Sequence, residues 1–169
     1  MNNMLNALLN SVRTFSALWS TAGKANTTNA AKSLLSTGLK FIFGTEAYWV
    51  KDRHEKDRTN CHIVLLAKNE NGRQWINEIL STANEDGYYY RPRLDEELLF
   101  QLPPNDVFVT SACVAFWHYE PDYVENLVLR LHNHFKDNFM LEIQAHNTDK
   151  QKQLNARILE LSEKVGNSR

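Results

Sequence analysis

The sequence predicts an α/β fold, a parallel sheet that is either open or closed into a barrel, with helices packed against it. Three observations lead there. Short apolar runs with β-branched residues recur along the chain, as strands buried in a sheet require. Between them lie longer segments whose apolar residues repeat every three or four positions, the spacing of an amphipathic helix. The two patterns alternate, and strands alternating with helices imply crossover connections and a parallel sheet. No internal repeat or flexible linker is visible.

The elements follow in order. Leu39 to Gly44 is a short apolar run that Ala47 to Val50 continues in extended form, giving a first strand. The all-polar stretch KDRHEKDRTN, residues 51–60, reads as a loop with a solvated charged surface. A second strand covers Cys61 to Ala67. Glu70 or Asn71 opens a helix to about Asn84, with Trp75, Ile76, Ile79 and Leu80 on one face. Asp86-Gly87 marks a turn, and YYYRPRL is irregular around Pro92. A short helix fits Asp95 to Leu102, closed by Pro103-Pro104. Val107 to Val109 is a third strand leading into Ser111-Ala112-Cys113. Asp122 caps a helix through Phe135 on the apolar positions Val124, Leu127, Val128 and Leu131. Phe139 to Ile143 is a fourth strand. Thr148 or Asp149 caps a last helix carrying Leu154, Ile158 and Leu161 and ending at Gly166.

Composition narrows the function classes. At 169 residues, 43% hydrophobic, the chain suits one domain with a sizeable core. No apolar run reaches the ~18 residues of a membrane span. Two cysteines, Cys61 and Cys113, do not make a disulfide scaffold and fit a reducing compartment, so a cytoplasmic location is expected. A net charge of −1 argues against a dedicated basic nucleic-acid-binding module. That average hides a partition. All 20 acidic residues lie at or after Glu46, while residues 1–45 carry four basic residues, Arg13, Lys24, Lys32 and Lys40. The remaining 15 basic residues against 20 acids give residues 46–169 a charge of −5. Leu5, Leu8, Leu9 and Val12 recur at helical spacing, so a helix over 4–19 is expected. The segment lacks the basic start and apolar stretch of a secretory signal, and its single arginine in 23 residues is thin for a transit peptide.

Active sites of parallel α/β folds gather at the C-terminal ends of strands. Glu46 after the first strand, Cys113 after the third, and Gln144 with His146 after the fourth meet that rule. His62 stands apart at the start of its strand. Glu, His and Cys are ligands for zinc or another borderline divalent ion. Taken singly, each has a plainer reading: a hydrogen-bonded structural histidine, or a cysteine serving as a small buried hydrophobe. His132 and His134 point apart on their helix and are expected at the surface. No CxxC, HExxH, Walker or GxGxxG motif is present.

Five strings resemble one family. GLKFIFGTEAYWV (38–50), CHIVLLAKNENGRQWINEILSTAN (61–84), GYYYRPRLDEELL (87–99), SACVAF (111–116) and FMLEIQAHNTDKQKQLN (139–155) are similar, in order and spacing, to the PHP domain of bacterial DNA polymerase III alpha subunits. The resemblance implies a distorted (β/α)7 barrel with divalent metals at the strand ends. It further implies phosphoester hydrolysis, of the metal-dependent 3′–5′ exonuclease type in polymerase members and lost in members with degenerate sites. By motif, Glu46, His62, Cys113 and His146 fall on metal-ligand positions, with zinc or manganese as the expected ion. DNA and the rest of the alpha subunit in its replisome are the implied partners, with no membrane. The alternatives are a non-catalytic structural or interaction module, and a small PHP phosphoesterase acting on phosphate monoesters.

The match departs from the family at both ends. The family's opening HxH strand, its following Asp-His or Glu-His motif and its closing Asp-x-His strand have no counterpart here. An incomplete barrel spanning residues 38–166, with a 167–169 tail and about half the ligand set, is therefore expected, inactive by itself. Residues 1–37 form a non-family segment. Codons able to encode Trp19 to Asn29, read one base out of register, can spell EHGWQGKYYE, and those for Lys32 to Gly38, entered from the last base of the Ala31 codon, can spell EELAEHG. These strings resemble the missing Glu-His motif and its helix, so the segment is expected to be out-of-frame translation of PHP-coding sequence.

Overall fold

In the computed structural model, residues 42–166 are described. The expected helix over 4–19, and the start of the first strand at Leu39, lie outside them. Five strands are assigned: β1 (Gly44–Trp49), β2 (Cys61–Ala67), β3 (Arg93–Leu94), β4 (Val107–Thr110) and β5 (Phe139–Met140). Four α-helices accompany them: α1 (Glu70–Glu85), α2 (Glu96–Leu99), α3 (Pro121–Phe135) and α4 (Asp149–Gly166).

The strands form one sheet in the order β3-β1-β2-β4-β5. β1 pairs with β3 in parallel, and β4 with β5 in parallel. β2 and β4 run antiparallel, with Val64 opposite Thr110 and Ala67 opposite Val107. The sheet is thus mixed, which corrects the all-parallel expectation. Apolar runs reveal that strands are buried, but the direction of a strand leaves no trace in its own composition. β3 was hidden in the irregular YYYRPRL stretch, where two residues are too few for a periodic signal. The mixed α/β sheet is consistent with a barrel-like PHP fold, and the complete barrel is not shown among the described residues.

Alternation along the strands sorts the sheet into two faces. Ala47 and Trp49 of β1, Cys61, Ile63 and Leu65 of β2, and Val107 and Val109 of β4 are buried. Ile76, Ile79 and Ala83 of α1 join that core, as do Val124, Leu127, Val128, Leu131 and Phe135 of α3. The intervening residues Glu46, Tyr48, His62, Val64, Leu66, Phe108 and Thr110 are half-buried on the opposite face.

Local chemistry fixes the helix ends. Asn69 caps α1, its side chain accepting the Gly72 N–H at 2.9 Å, one residue before the predicted start. Trp75 and Leu80 were expected beside Ile76 and Ile79, but Trp75 is exposed and Leu80 half-buried, because Gly72 and Ala83 complete the inner face. Gly72 lets α1 approach the chain before β4: a Cβ there would lie 2.0 Å from the Asp106 carbonyl oxygen. Asp95 caps α2 through the Leu98 N–H. α3 starts at Pro121, whose fixed φ and missing N–H suit the first helical position. Asp122 therefore lies inside the first turn and is not the cap.

The loop 51–60 also departs from expectation. Arg53 is buried, its Nη1 donating to both Asp95 carboxylate oxygens at 2.9 Å and to Glu97 at 2.8 Å, its Nε to Asp86 at 3.1 Å. Burial opposes the charge, but the Glu97, Asp95 and Asp86 carboxylates outweigh it and raise the guanidinium's pKa. Arg93 is buried as well and donates only to backbone carbonyls, those of Arg53, Glu55, Asp57 and Gly87. A uniformly polar string gives no sign of which charge turns inward.

Candidate metal centre

Glu46 lies within β1, not beyond its end as the sequence suggested, and the pleat places it on the half-buried face. His62 is the second residue of β2 and alternates onto the same face between buried Cys61 and Ile63. Cys113 follows β4 after a sharp bend. Ala112 holds a left-handed φ of 48°, which a residue with a Cβ rarely adopts, and Cys113 then caps a 3-10 turn over Val114–Trp117. Its Sγ accepts the Ala115 N–H at 3.4 Å.

The antiparallel run of β2 explains how a residue that begins a strand meets one that follows a strand. With Val64 opposite Thr110, the start of β2 lies beside the exit of β4. His62 Nδ1 stands 2.9 Å from Glu46 Oε1 and 3.4 Å from Cys113 Sγ. One donor atom from each of the three residues lies within 4.8 Å of the others. The Glu46 and His62 side chains are 29% and 28% exposed, enough for an ion to enter from solvent. The Tyr48 ring meets the imidazole edge-on with centroids 5.4 Å apart.

This donor set fits a borderline divalent ion. Imidazole, carboxylate and thiol are standard zinc ligands, and tetrahedral bonds of ~2.0–2.3 Å leave donors roughly 3.4–3.6 Å apart. The Cys113 to His62 distance matches that spacing. The Glu46 to His62 distance is shorter and corresponds to a direct hydrogen bond. A proton and a metal ion compete for the same Nδ1 lone pair.

His146 is exposed in the irregular segment between β5 and α4 and is not brought into this group. Gln144 is held through its backbone carbonyl, which accepts the Asn155 side-chain amide at 2.9 Å, while its own side-chain amide faces the Glu142 carboxylate at 3.5 Å. Glu142, which no sequence motif marks, is tied to the end of β4: Thr110 Oγ1 donates to its carboxylate at 3.1 Å, and its N–H donates to Ser111 Oγ at 2.9 Å. The hydroxyl pair Thr110-Ser111 closing an apolar strand was the available signal. Cys61 has a different character from Cys113. It is fully buried, its thiol donates to the Phe116 carbonyl at 3.2 Å, and burial pushes its pKa up to about 12. His132 is half-buried rather than at the surface, and so is His134, whose Nε2 lies 3.3 Å from the Leu102 carbonyl.

Comparison with known proteins decides the family. The PHP domain matches residues 3–146. The chain belongs to the PHP domain family. Its relatives include DNA polymerase III subunit alpha of Aquifex aeolicus (strain VF5), 30% identical over 149 residues that cover 79% of this chain and 13% of that protein. The subunit of Borreliella burgdorferi is 29% identical over 147 residues, 80% of this chain and 13% of that protein. That of Helicobacter pylori (strain 26695) is 26% identical over 153 residues, with 79% and 13% covered. The chain spans about an eighth of the length of these relatives. The PHP match takes in all four candidate ligands. It begins at residue 3, inside the segment that composition set apart, and ends before α4. Among the described residues no helix is long and apolar enough to cross a membrane.

Proposed function

We propose that Glu46, His62 and Cys113 hold a divalent cation in a PHP-type phosphoesterase site, belonging to the alpha subunit of a replicative DNA polymerase III. The convergence of three donors from β1, β2 and the exit of β4 within 4.8 Å carries this reading. The thiol favours zinc over manganese, since soft ligands select zinc. When bound, such an ion supplies a lowered pKa for a coordinated water and stabilises charge on phosphoryl oxygens. The protein's part is to present three ligands from rigid elements and to leave the remaining coordination open. Cys113 contributes as thiolate and His62 through neutral Nδ1. The substrate class is a phosphodiester of DNA, with the 3′ end as the reacting terminus.

The test is metal content by mass spectrometry after purification with zinc or manganese, alongside hydrolysis of single-stranded DNA and of a phosphate monoester. About one metal per chain, lost in Cys113→Ala and His62→Ala, is the expected result. Hydrolysis confined to the monoester would favour a small-molecule phosphoesterase.

The 2.9 Å contact between Glu46 and His62 supports a second reading. The pair satisfies itself without metal, as a structural module within the polymerase would require. A folded protein that binds neither ion would decide for that reading.

A further inference from the structure

We infer that the turn bearing Tyr88 and Tyr90, together with Arg58 and Arg91, is a platform that holds single-stranded DNA beside the metal centre. The inference rests on the phosphodiester reading above and names the residues that would position its substrate.

Tyr88 and Tyr90 are 60% and 61% exposed, the most exposed large hydrophobic side chains among the described residues. Tyr90 sits at the tip of a tight turn, where Tyr89 N–H donates to the Arg91 carbonyl at 3.1 Å. Its backbone holds a left-handed φ of 60°, an uncommon conformation for an aromatic residue. The Arg58 guanidinium lies 3.9 Å from the Tyr90 ring centroid and also donates to its hydroxyl. Tyr89 meets Tyr90 edge-on at 4.8 Å. Arg91 lies 4.5 Å over the Tyr48 ring, and Tyr48 in turn touches His62. One aromatic ring therefore separates a guanidinium from the candidate metal centre.

The two surface pieces are fastened together from below. Arg93 ties the Gly87 carbonyl, at the base of the tyrosine turn, to the Arg53, Glu55 and Asp57 carbonyls of the loop that carries Arg58. A buried arginine spent entirely on backbone carbonyls fixes the exposed groups relative to one another. Of the nearby acids, Asp57 accepts the Thr59 N–H at 3.0 Å. Exposed rings offer faces to bases, and guanidiniums offer charge to phosphates, a combination that binds single strands without sequence preference. A duplex keeps its base faces stacked and would not use the rings. The Arg58 and Arg91 charges and the exposed rings of Tyr88 and Tyr90, the second already stacked on by Arg58, together select a single-stranded polyanion.

The test is fluorescence anisotropy of the full chain with a fluorescein-labelled oligothymidylate, run in EDTA so that metal plays no part. An oligonucleotide of about 12 residues suits the ~4–16 nucleotides typical of such grooves. Tyr90→Ala and Tyr88→Ala should each weaken binding about tenfold, as loss of a stacking aromatic does, while Tyr90→Phe stays within about twofold of the parent. Arg58→Gln and Arg91→Gln should each lower the slope of log affinity against log salt by about 0.7. Circular dichroism checks that each variant is folded. Unchanged affinity in both tyrosine variants, equal affinity for blunt duplex, or no binding by the parent chain would overturn the inference. Metal content separates it from the metal reading: a chain that takes up no metal yet loses DNA affinity in these variants keeps the platform and removes the metal site.

Discussion

Replacing Asp95 with alanine tests whether the Arg53 cluster organises this half of the molecule. The Asp95 carboxylate accepts from the Arg53 backbone N–H at 3.2 Å, twice from Arg53 Nη1 at 2.9 Å, and from the Leu98 N–H at 3.3 Å. Its side chain and that of Arg53 are 8% and 7% exposed. Removing one partner of a buried ion pair costs about 3–5 kcal/mol. Arg53 would keep Glu97 and Asp86, so the lower end of that range applies, although those two are 68% and 46% exposed and weakened by solvent. Loss of the helix cap adds about 1 kcal/mol. The sum, about 4 kcal/mol, is a large share of the ~5–15 kcal/mol that holds a domain folded. With an m-value of about 2 kcal/mol/M, the urea midpoint should fall by about 2 M. Asp95→Asn retains a good capping side chain and should lose less. Equilibrium unfolding followed by tryptophan fluorescence measures both. A loss below about 1 kcal/mol in Asp95→Ala would refute the reasoning, because it would make the pair no stronger than a surface salt bridge.

Gly72→Ala should destabilise by about 1–3 kcal/mol or more, since the new methyl would press on the Asp106 carbonyl, and a thermal melt will show whether the helix can shift to relieve it. Under native conditions Cys113 should react with iodoacetamide while Cys61 reacts only after unfolding, a contrast that peptide mass mapping will show. At high pH the Cys61 thiol and the Tyr123 phenol, both raised to about 12 chiefly by burial, keep their protons in the folded state after the unfolded chain has lost them. Stability should therefore fall as pH rises from about 9 toward 12, and denaturant midpoints independent of pH across that window would contradict this burial. For residues 1–37, we propose out-of-frame translation of PHP-coding sequence; the nucleotide sequence under Trp19 to Asn29 should permit EHGWQGKYYE one base over, and a single incompatible codon ends the idea.

What the sequence made legible follows from which signals are local. The burial of β2 and of α1, α3 and α4 was visible because apolar periodicity is written within each element. Glu46, His62 and Cys113 could be named because their residue types and their places near strand ends are also local. Pairing direction, by contrast, is a relation between distant segments, and nothing in Cys61 to Ala67 states that it runs against Val107 to Thr110. The inward turn of Arg53 depends in the same way on Asp95, 42 residues away. Composition alone made KDRHEKDRTN look uniformly solvated, because a buried arginine and an exposed one share the same letter.

His62 shows why the strand direction matters for the chemistry. In an all-parallel sheet, a residue at the start of β2 would stand at the opposite edge from Cys113, a strand length away. Six residues at about 3.3 Å each separate the ends of β2, roughly 20 Å, far beyond any metal bond. The antiparallel pairing removes that distance and brings Nδ1 to 3.4 Å from Sγ. His62, the candidate that broke the strand-end rule, thereby becomes the residue that joins the other two. Its contacts with Glu46, Cys113 and Tyr48 make it the shared neighbour of the donor group and of the aromatic chain leading to Arg91. His62→Ala should therefore disturb metal uptake through the lost ligand, while DNA retention in EDTA, which depends on Tyr90 and Arg58, should persist. Loss of both together would mean that the two features are a single packed unit, not a metal site with a platform beside it.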